Sequence, residues 1–513
     1  MTAVANPTKS VVRRRVPPVA RLALLVAVAA LAGAAATTLP GRYAPLAIAA
    51  GPAALLAFAL VRWAGPRWCL AALVITTVLG WSATSTSAGR VNLRLTDIPY
   101  LALLGWVVVI RAHRGLRRVN IGQRMLAVFL AVLGVSLLPI LATSPHTFFD
   151  GFVSWARLAE TFSIVWLVPY SVDRPSDRRF LIGVVVAACS LELGWAILHA
   201  AISGGLSGRL TDGSPGGATG PDSLGLFAAI LAVTVLYGGV PRRRWLRVSL
   251  FALALVSLGL TRSVGGIAAA GLVLGLAPIS MPFNRRPWGA LVLPARVALL
   301  LLALFATVTW LRPSDVPGSA TFGTGTANIR LIYAVDGIEQ FTQHPILGVG
   351  FQQSSAPSNF ANPTIVADLH QRFPNAASGV IPDPHGCTSP NPGTQCNSPT
   401  SVHDAYVQIA AEGGVIGIGA FLVMVLAMGR RIRALGRRNL EPEPARLLRW
   451  AVLLLVVIMI WWNDNPLYGA HAETVLAALA LGTLATPWSQ LSMPNANRNH
   501  RSRHAGIAEK SSL

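Results

Sequence analysis

Charge is scarce in this chain. Asp, Glu, Lys and Arg make up only 12% of its 513 residues, hydrophobic residues make up 53%, and the mean hydropathy is +0.55. That composition excludes an ordinary soluble protein, whose water-facing surface needs about twice that share of charge. The short motifs of familiar catalysis are missing too: there is no HExxH, GxxxxGK[ST], GxSxG or CxxC. Zincin, P-loop, nucleophile-elbow and thioredoxin-like chemistries are set aside with them. His344, His370, His385 and His403 lack metal-ligand spacing, so neither a metal nor another cofactor is expected.

The apolar residues are concentrated in blocks of the length that crosses a hydrocarbon core of about 30 Å as helix. Helix is required there because lipid offers backbone groups no other partner. The expected fold is therefore an all-α integral membrane protein of about 14 transmembrane helices. The expected spans are 19–39, 44–62, 67–86, 96–111, 124–142, 152–171, 179–200, 223–240, 245–261, 264–280, 292–311, 413–429, 447–462 and 469–486. Lys9, Arg13, Arg14 and Arg15 precede the first block like the start of a signal peptide. With no small-residue cleavage site after Leu39, that block is read as a retained span.

A net charge of +22 would point to nucleic acid in a soluble protein, but its distribution points elsewhere. Arginines cluster in alternate connections: Arg62 and Arg67; Arg111 to Arg118; Arg174 to Arg179; Arg242 to Arg247; Arg285 and Arg286; Arg430 to Arg438; Arg498 to Arg503. This is the positive-inside pattern. It puts both termini in the cytoplasm of a multi-pass inner-membrane protein and makes anionic lipid, not nucleic acid, the partner of these charges.

The division that follows is a basic cytoplasmic tail (1–18), helices 1–11 (19–311), one large extracytoplasmic loop (312–412), the last three helices (413–486) and a basic cytoplasmic tail (487–513). A loop of roughly a hundred residues is too long for a mere link. It opens with an amphipathic helix over 328–343, passes through a Pro/Gly turn from His344 to Phe351, and continues as a Pro/Asn/Ser-rich stretch expected to be irregular. Cys387 and Cys396 lie in that stretch, where an oxidising environment favours a disulfide worth about 2.5–3 kcal/mol. Cys69 and Cys189 fall inside expected spans and read as packing residues.

Several ionisable residues sit at expected outer helix ends: Arg157 and Glu160 one turn apart, Arg209 and Asp212, Arg262, Arg330 on the loop helix, and Ser401-Val402-His403-Asp404-Ala405-Tyr406 leading to Glu412. Simple pairing, Arg157 with Glu160 or Arg209 with Asp212, accounts for some of them. Several outer arginines at one membrane level also make a site for an anionic headgroup, because guanidinium binds phosphate through two donors and stays charged. Taken alone, His403 reads as a packing residue at a helix start capped by Ser401 or Asp404.

Arg330 stands roughly fifteen residues ahead of His344-Pro345-Ile346-Leu347-Gly348-Val349-Gly350, and His403-Asp404-Ala405-Tyr406 and Glu412-Gly413-Gly414-Val415-Ile416-Gly417 follow after a polar interval. This order resembles the O-antigen ligase and Wzy-type polymerase superfamily. Weaker similarities are Arg209 to Gly213 with Pro221-Asp222, and Leu260-Thr261-Arg262-Ser263. The chain departs from the pattern with Asp404 where Asn is usual and with Arg262 ahead of Ser263.

The resemblance implies a GT-C-type fold and a metal-independent transfer of a glycan from a polyprenyl-diphosphate carrier to a glycan, lipid or protein acceptor on the outer face. His403 would be the base, with Arg330, Arg262, Arg209 and Arg157 holding the diphosphate, supported by Glu160, Asp404 and Glu412. The competing expectation is a secondary transporter or lipid-linked oligosaccharide flippase, which also needs many spans.

Overall fold

A computed structural model describes residues 65–79, 86–88, 91–93, 96–114, 119–172, 174–204, 220–276, 326–354, 362–373, 404–437, 442–463, 465–467 and 471–486, with a few single positions between them. Helix dominates. The first elements are α1 (Pro66–Val78), a small antiparallel pair β1 (Thr86–Ala88) and β2 (Val91–Leu93), α2 (Asp97–Arg114), α3 (Ile121–Val135), α4 (Leu138–Thr143), α5 (Pro145–Ser171) and α6 (Pro175–Ile202). Then come α7 (Pro221–Tyr237), α8 (Arg244–Thr261), α9 (Val264–Leu276), α10 (Thr326–Gln343), α11 (Pro363–Arg372), α12 (Ala405–Gly436), α13 (Pro442–Trp461) and α14 (His471–Ala485).

Among the described residues, five helical stretches are long and apolar enough to cross a membrane: Ile121–Leu141, Ser176–Ile202, Arg244–Thr261, Ala405–Gly436 and Pro442–Trp461. Shorter apolar helices include α1, α7 and α14. The expected spans that fall on described residues overlap helix over part or most of their length, whereas 19–39, 44–62 and 292–311 lie outside the described residues. The expected 124–142 is divided at Ser136-Leu137, because Pro139 has no N–H to give the preceding turn and its ring crowds it. The expected 67–86 stops as helix at Val78, and Thr86 belongs to β1.

The bundle is organised around α7 and α14. From Leu224 to Val235 α7 is buried on every side, as is α14 from Glu473 to Ala485, so neither has an apolar stripe; each is apolar all round. Small residues permit close packing. Gly225 of α7 lies against Ser263, and Gly482 of α14 faces Val168 of α5, where an added Cβ would come within 2.7 Å. The start of α3 is capped: Asn120 and Gln123 form a capping box there, with bonds of 3.0 and 3.1 Å.

Within the expected loop, α10 corresponds to the amphipathic helix read from the sequence. The Pro/Asn/Ser-rich stretch is not wholly irregular, however, since it contains α11. Asn362 caps that helix by accepting from Thr364 N at 3.0 Å, Pro363 occupies its first turn, and Ile365, Val366 and Leu369 bury against Ile332 of α10. With Ile381 these residues form a small core separate from that of the bundle. Cys387 and Cys396 lie outside the described residues; Cys69 and Cys189 are buried free thiols.

Candidate functional site at one end of the bundle

Antiparallel alternation brings the starts of α2, α7, α12 and α14 and the ends of α8 and α13 to the same end of the bundle. At that end Arg157, midway along α5, donates to Asp97 at the start of α2 and to Glu160 one turn on, both at 2.9 Å. The pairing expected between Arg157 and Glu160 is thus present, with Asp97 as a further partner. Beside it, Tyr100 and Ser163 share a 2.7 Å bond, and Thr161 reaches His471 Nδ1 at 3.4 Å.

His471 opens α14, and two residues later Glu473, 1% exposed, accepts a 2.7 Å bond from Ser223 of α7. Its second carboxylate oxygen has no hydrogen-bond partner among the described residues. Next to Ser223, Asp222 accepts a 2.6 Å bond from Arg330 Nη2, and its carbonyl accepts from Trp461 Nε1 at 3.2 Å. Through this contact the loop helix α10 is tied to the start of α7, and Arg330 is largely withdrawn from solvent, 16% exposed against 22% for Asp222. Charged pairs at such depth are held by geometry rather than by bulk water.

Arg262 forms the connection from α8 to α9 together with Ser263. Its backbone is left-handed (φ 49°, ψ 33°), a conformation that costs a residue with a Cβ on the order of 1 kcal/mol. Ser263 starts α9 by accepting from Gly266 N at 3.2 Å, and its side chain rests on Gly225, one turn from Asp222. The strained turn therefore holds Arg262 at the level of the Arg330–Asp222 pair.

Glu412 lies where α12 breaks. Gly414 has φ 62° and ψ −161°, which interrupts the helical ladder, and the turn from Pro345 to Gly350 supplies the missing partners. Val415 N donates to the Pro345 carbonyl at 2.7 Å, Val349 N to the Ala411 carbonyl at 2.8 Å and Gly350 N to the Glu412 carbonyl at 3.2 Å. The buried Glu412 carboxylate accepts from Gln352 N at 2.9 Å, Ser354 Oγ at 2.6 Å and Gln408 Nε2 at 3.3 Å. Glu412 thereby clamps the Pro/Gly turn onto the break, and Gln408 extends the network by accepting from Leu467 N at 2.9 Å. Asp404 caps α12, accepting from Tyr406 N at 2.8 Å and Val407 N at 3.0 Å, while Ala405 N donates to the Trp462 carbonyl at 2.9 Å. Burial raises the Asp404 carboxyl above its usual range, with the two backbone donors acting against it.

Arg157, Glu160, Arg262, Arg330, Asp404 and Glu412 therefore share one end of the bundle, whereas His403 and Arg209 lie outside the described residues. The sequence reading did not single out Asp97, Ser223, His471 or Glu473. A carboxylate opening an otherwise apolar segment, as Glu473 does, was the available signal, because charge at membrane depth is expensive. No group of three or more metal-ligating side chains occurs among the described residues. No family model matches the chain, and no curated protein matches it.

Proposed function

We propose that this protein is a membrane glycosyltransferase of the ligase or polymerase kind, acting at the bundle end that carries Arg157, Arg262 and Arg330. On this reading the chain crosses the inner membrane about 14 times, both termini are cytoplasmic, and the 312–412 loop lies outside. The observation that carries the proposal is the convergence of these arginines with the starts of α7, α12 and α14 at one end of an apolar bundle. Fixed guanidiniums and helix N-termini together favour a diphosphate.

The chemistry follows. His403, the residue before the Asp404 cap, takes the proton from an acceptor hydroxyl. The hydroxyl oxygen attacks the anomeric carbon, the carbon–oxygen bond to the carrier breaks, and the diphosphate departs with the electron pair. The arginines stabilise the charge that develops on it without reorganising. Glu160 and Asp97 orient Arg157, Asp222 orients Arg330, and Glu412 holds the turn over α12.

The test is glycan transfer by purified protein supplied with lipid-linked donor. His403→Ala is expected to reduce turnover by about 10²–10⁴ with donor binding largely kept. Arg330→Ala is expected to weaken both, and Arg330→Lys to restore only part, since a point charge does not reproduce a two-pronged donor. Full activity of His403→Ala removes the base assignment.

A second reading, an ion-coupled transporter or flippase, is favoured by Glu192 and Glu473, carboxylates 0% and 1% exposed within apolar helices. Movement of donor across liposomes without transfer would decide for it.

A further inference from the structure

The opposite end of the bundle carries a second charged feature. There α6 and α13 begin and α7 ends, about 25 Å along α7 from Asp222 at the helical rise. Between them lies a cavity of about 540 Å³ with Arg178, Arg179, Arg242 and Arg446 on its lining and Glu443 as the one carboxylate there. Glu443 is engaged by Arg179, which donates to both of its oxygens. Arg446 lies over Gly239, whose positive φ of 74° and missing Cβ let the guanidinium cross the backbone; a Cβ would sit 2.7 Å from Arg446 Cδ. Apolar residues complete the lining, of which Phe180, Val240 and Pro442 keep exposed surface.

We propose that this cavity binds the headgroup of an anionic phospholipid. Arg179 is taken up by Glu443 and Arg178 is buried with its Nε on the Val172 carbonyl, so the exposed Arg242 and Arg446 make the rim cationic, and the N-termini of α6 and α13 add positive potential there. Guanidinium pairs with phosphate through two donors, so Arg242 and Arg446 are suited to grip one phosphate diester between them. The apolar walls choose between sources of phosphate. A free ion would leave Phe180, Val240 and Pro442 against water, whereas a lipid covers them with its glycerol and first methylenes while its phosphate meets the arginines. Basic pockets between spanning helices on the cytoplasmic side are suited to such headgroups. This site is separate from the proposed transfer site, and its failure would leave that reading untouched.

The experiment is lipid binding by the full-length protein in nanodiscs and in delipidated micelles, read by native mass spectrometry and by the thermal midpoint. Cardiolipin and phosphatidylglycerol, both anionic, are each expected to bind at least tenfold more tightly than phosphatidylcholine. Arg242→Gln combined with Arg446→Gln is expected to remove at least tenfold of that preference. Both residues are exposed, so the double variant is expected to fold, and the single Arg242→Gln, expected to lose a smaller part, provides an independent reading. Arg372→Gln, on the distant α11, is expected to change nothing. Equal cardiolipin affinity of wild type and double variant would overturn the proposal. Equal binding of phosphatidylcholine would do the same, as would complete displacement of cardiolipin by millimolar inorganic phosphate.

Discussion

Glu412 offers the sharpest test of how the loop is held to the bundle. Its carboxylate is 1% exposed and accepts from Gln352 N, Ser354 Oγ and Gln408 Nε2. Glu412→Ala leaves these donors buried. Counting only the two short bonds, at about 1–3 kcal/mol for each donor left unsatisfied, the substitution is expected to cost about 2–6 kcal/mol. Glu412→Gln behaves differently. Its amide oxygen still accepts from Gln352 N, and its amide N–H donates to Ser354, whose hydroxyl turns from donor to acceptor; Gln408 Nε2 loses its longer 3.3 Å bond, so the cost is expected to be about 1–2 kcal/mol, below that of alanine. The assay is equilibrium unfolding in mixed micelles followed by tryptophan fluorescence, with limited proteolysis between 355 and 361 reporting release of the turn. An alanine variant within about 1 kcal/mol of wild type, or a glutamine variant as damaged as alanine, would refute the clamp.

At Gly414 the left-handed backbone and the approach of the Ile346 carbonyl leave no room for a Cβ, so Gly414→Ala is expected to lower the thermal midpoint more than Gly413→Ala, where the nearest atom is 3.5 Å away. Asp336 of α10 is fully buried beside Gln340, and burial pushes its carboxyl from 3.8 up to about 8. Its folded-state value is raised, so the stability it permits is complete below about pH 4 and declines as pH rises toward 8, because only the unfolded chain ionises in that window. Asp336→Asn is expected to flatten the pH dependence of the midpoint between pH 4 and 8, and an unchanged slope would contradict the buried neutral acid. Ser354 is buried against Glu412, so the outer reporter is placed at Gln371, exposed on α11: a cysteine there is expected to react with an impermeant thiol reagent from outside intact cells, and one at Gly436 is not; labelling at Gly436 would reverse the orientation. Digestion of unreduced protein is expected to release the Cys387 and Cys396 peptides joined, and free alkylatable thiols at both would exclude the disulfide.

Much of the helical framework was legible in the sequence because apolar blocks and their flanking arginines are local quantities. The Asp404 cap and the Arg157–Glu160 pair act on neighbouring residues and were readable, whereas the equally local break at Pro139 was not read and the span over 124–142 was expected whole. Tertiary structure decided what depends on distant partners. Only folding joins Arg157 to Asp97, Arg330 to Asp222 and Ser223 to Glu473, residues 60, 108 and 250 positions apart. The helix Pro363–Arg372 was hidden in a Pro/Asn/Ser-rich stretch because its apolar stripe is short and gains its stability from Ile332 on another helix. The break at Gly414 was hidden for a related reason: glycine only permits it, and the Pro345–Gly350 turn, through its own backbone bonds, is what makes the interruption stable. Composition thus determined which segments suit lipid, and long-range packing determined which charges meet at the two ends of the bundle.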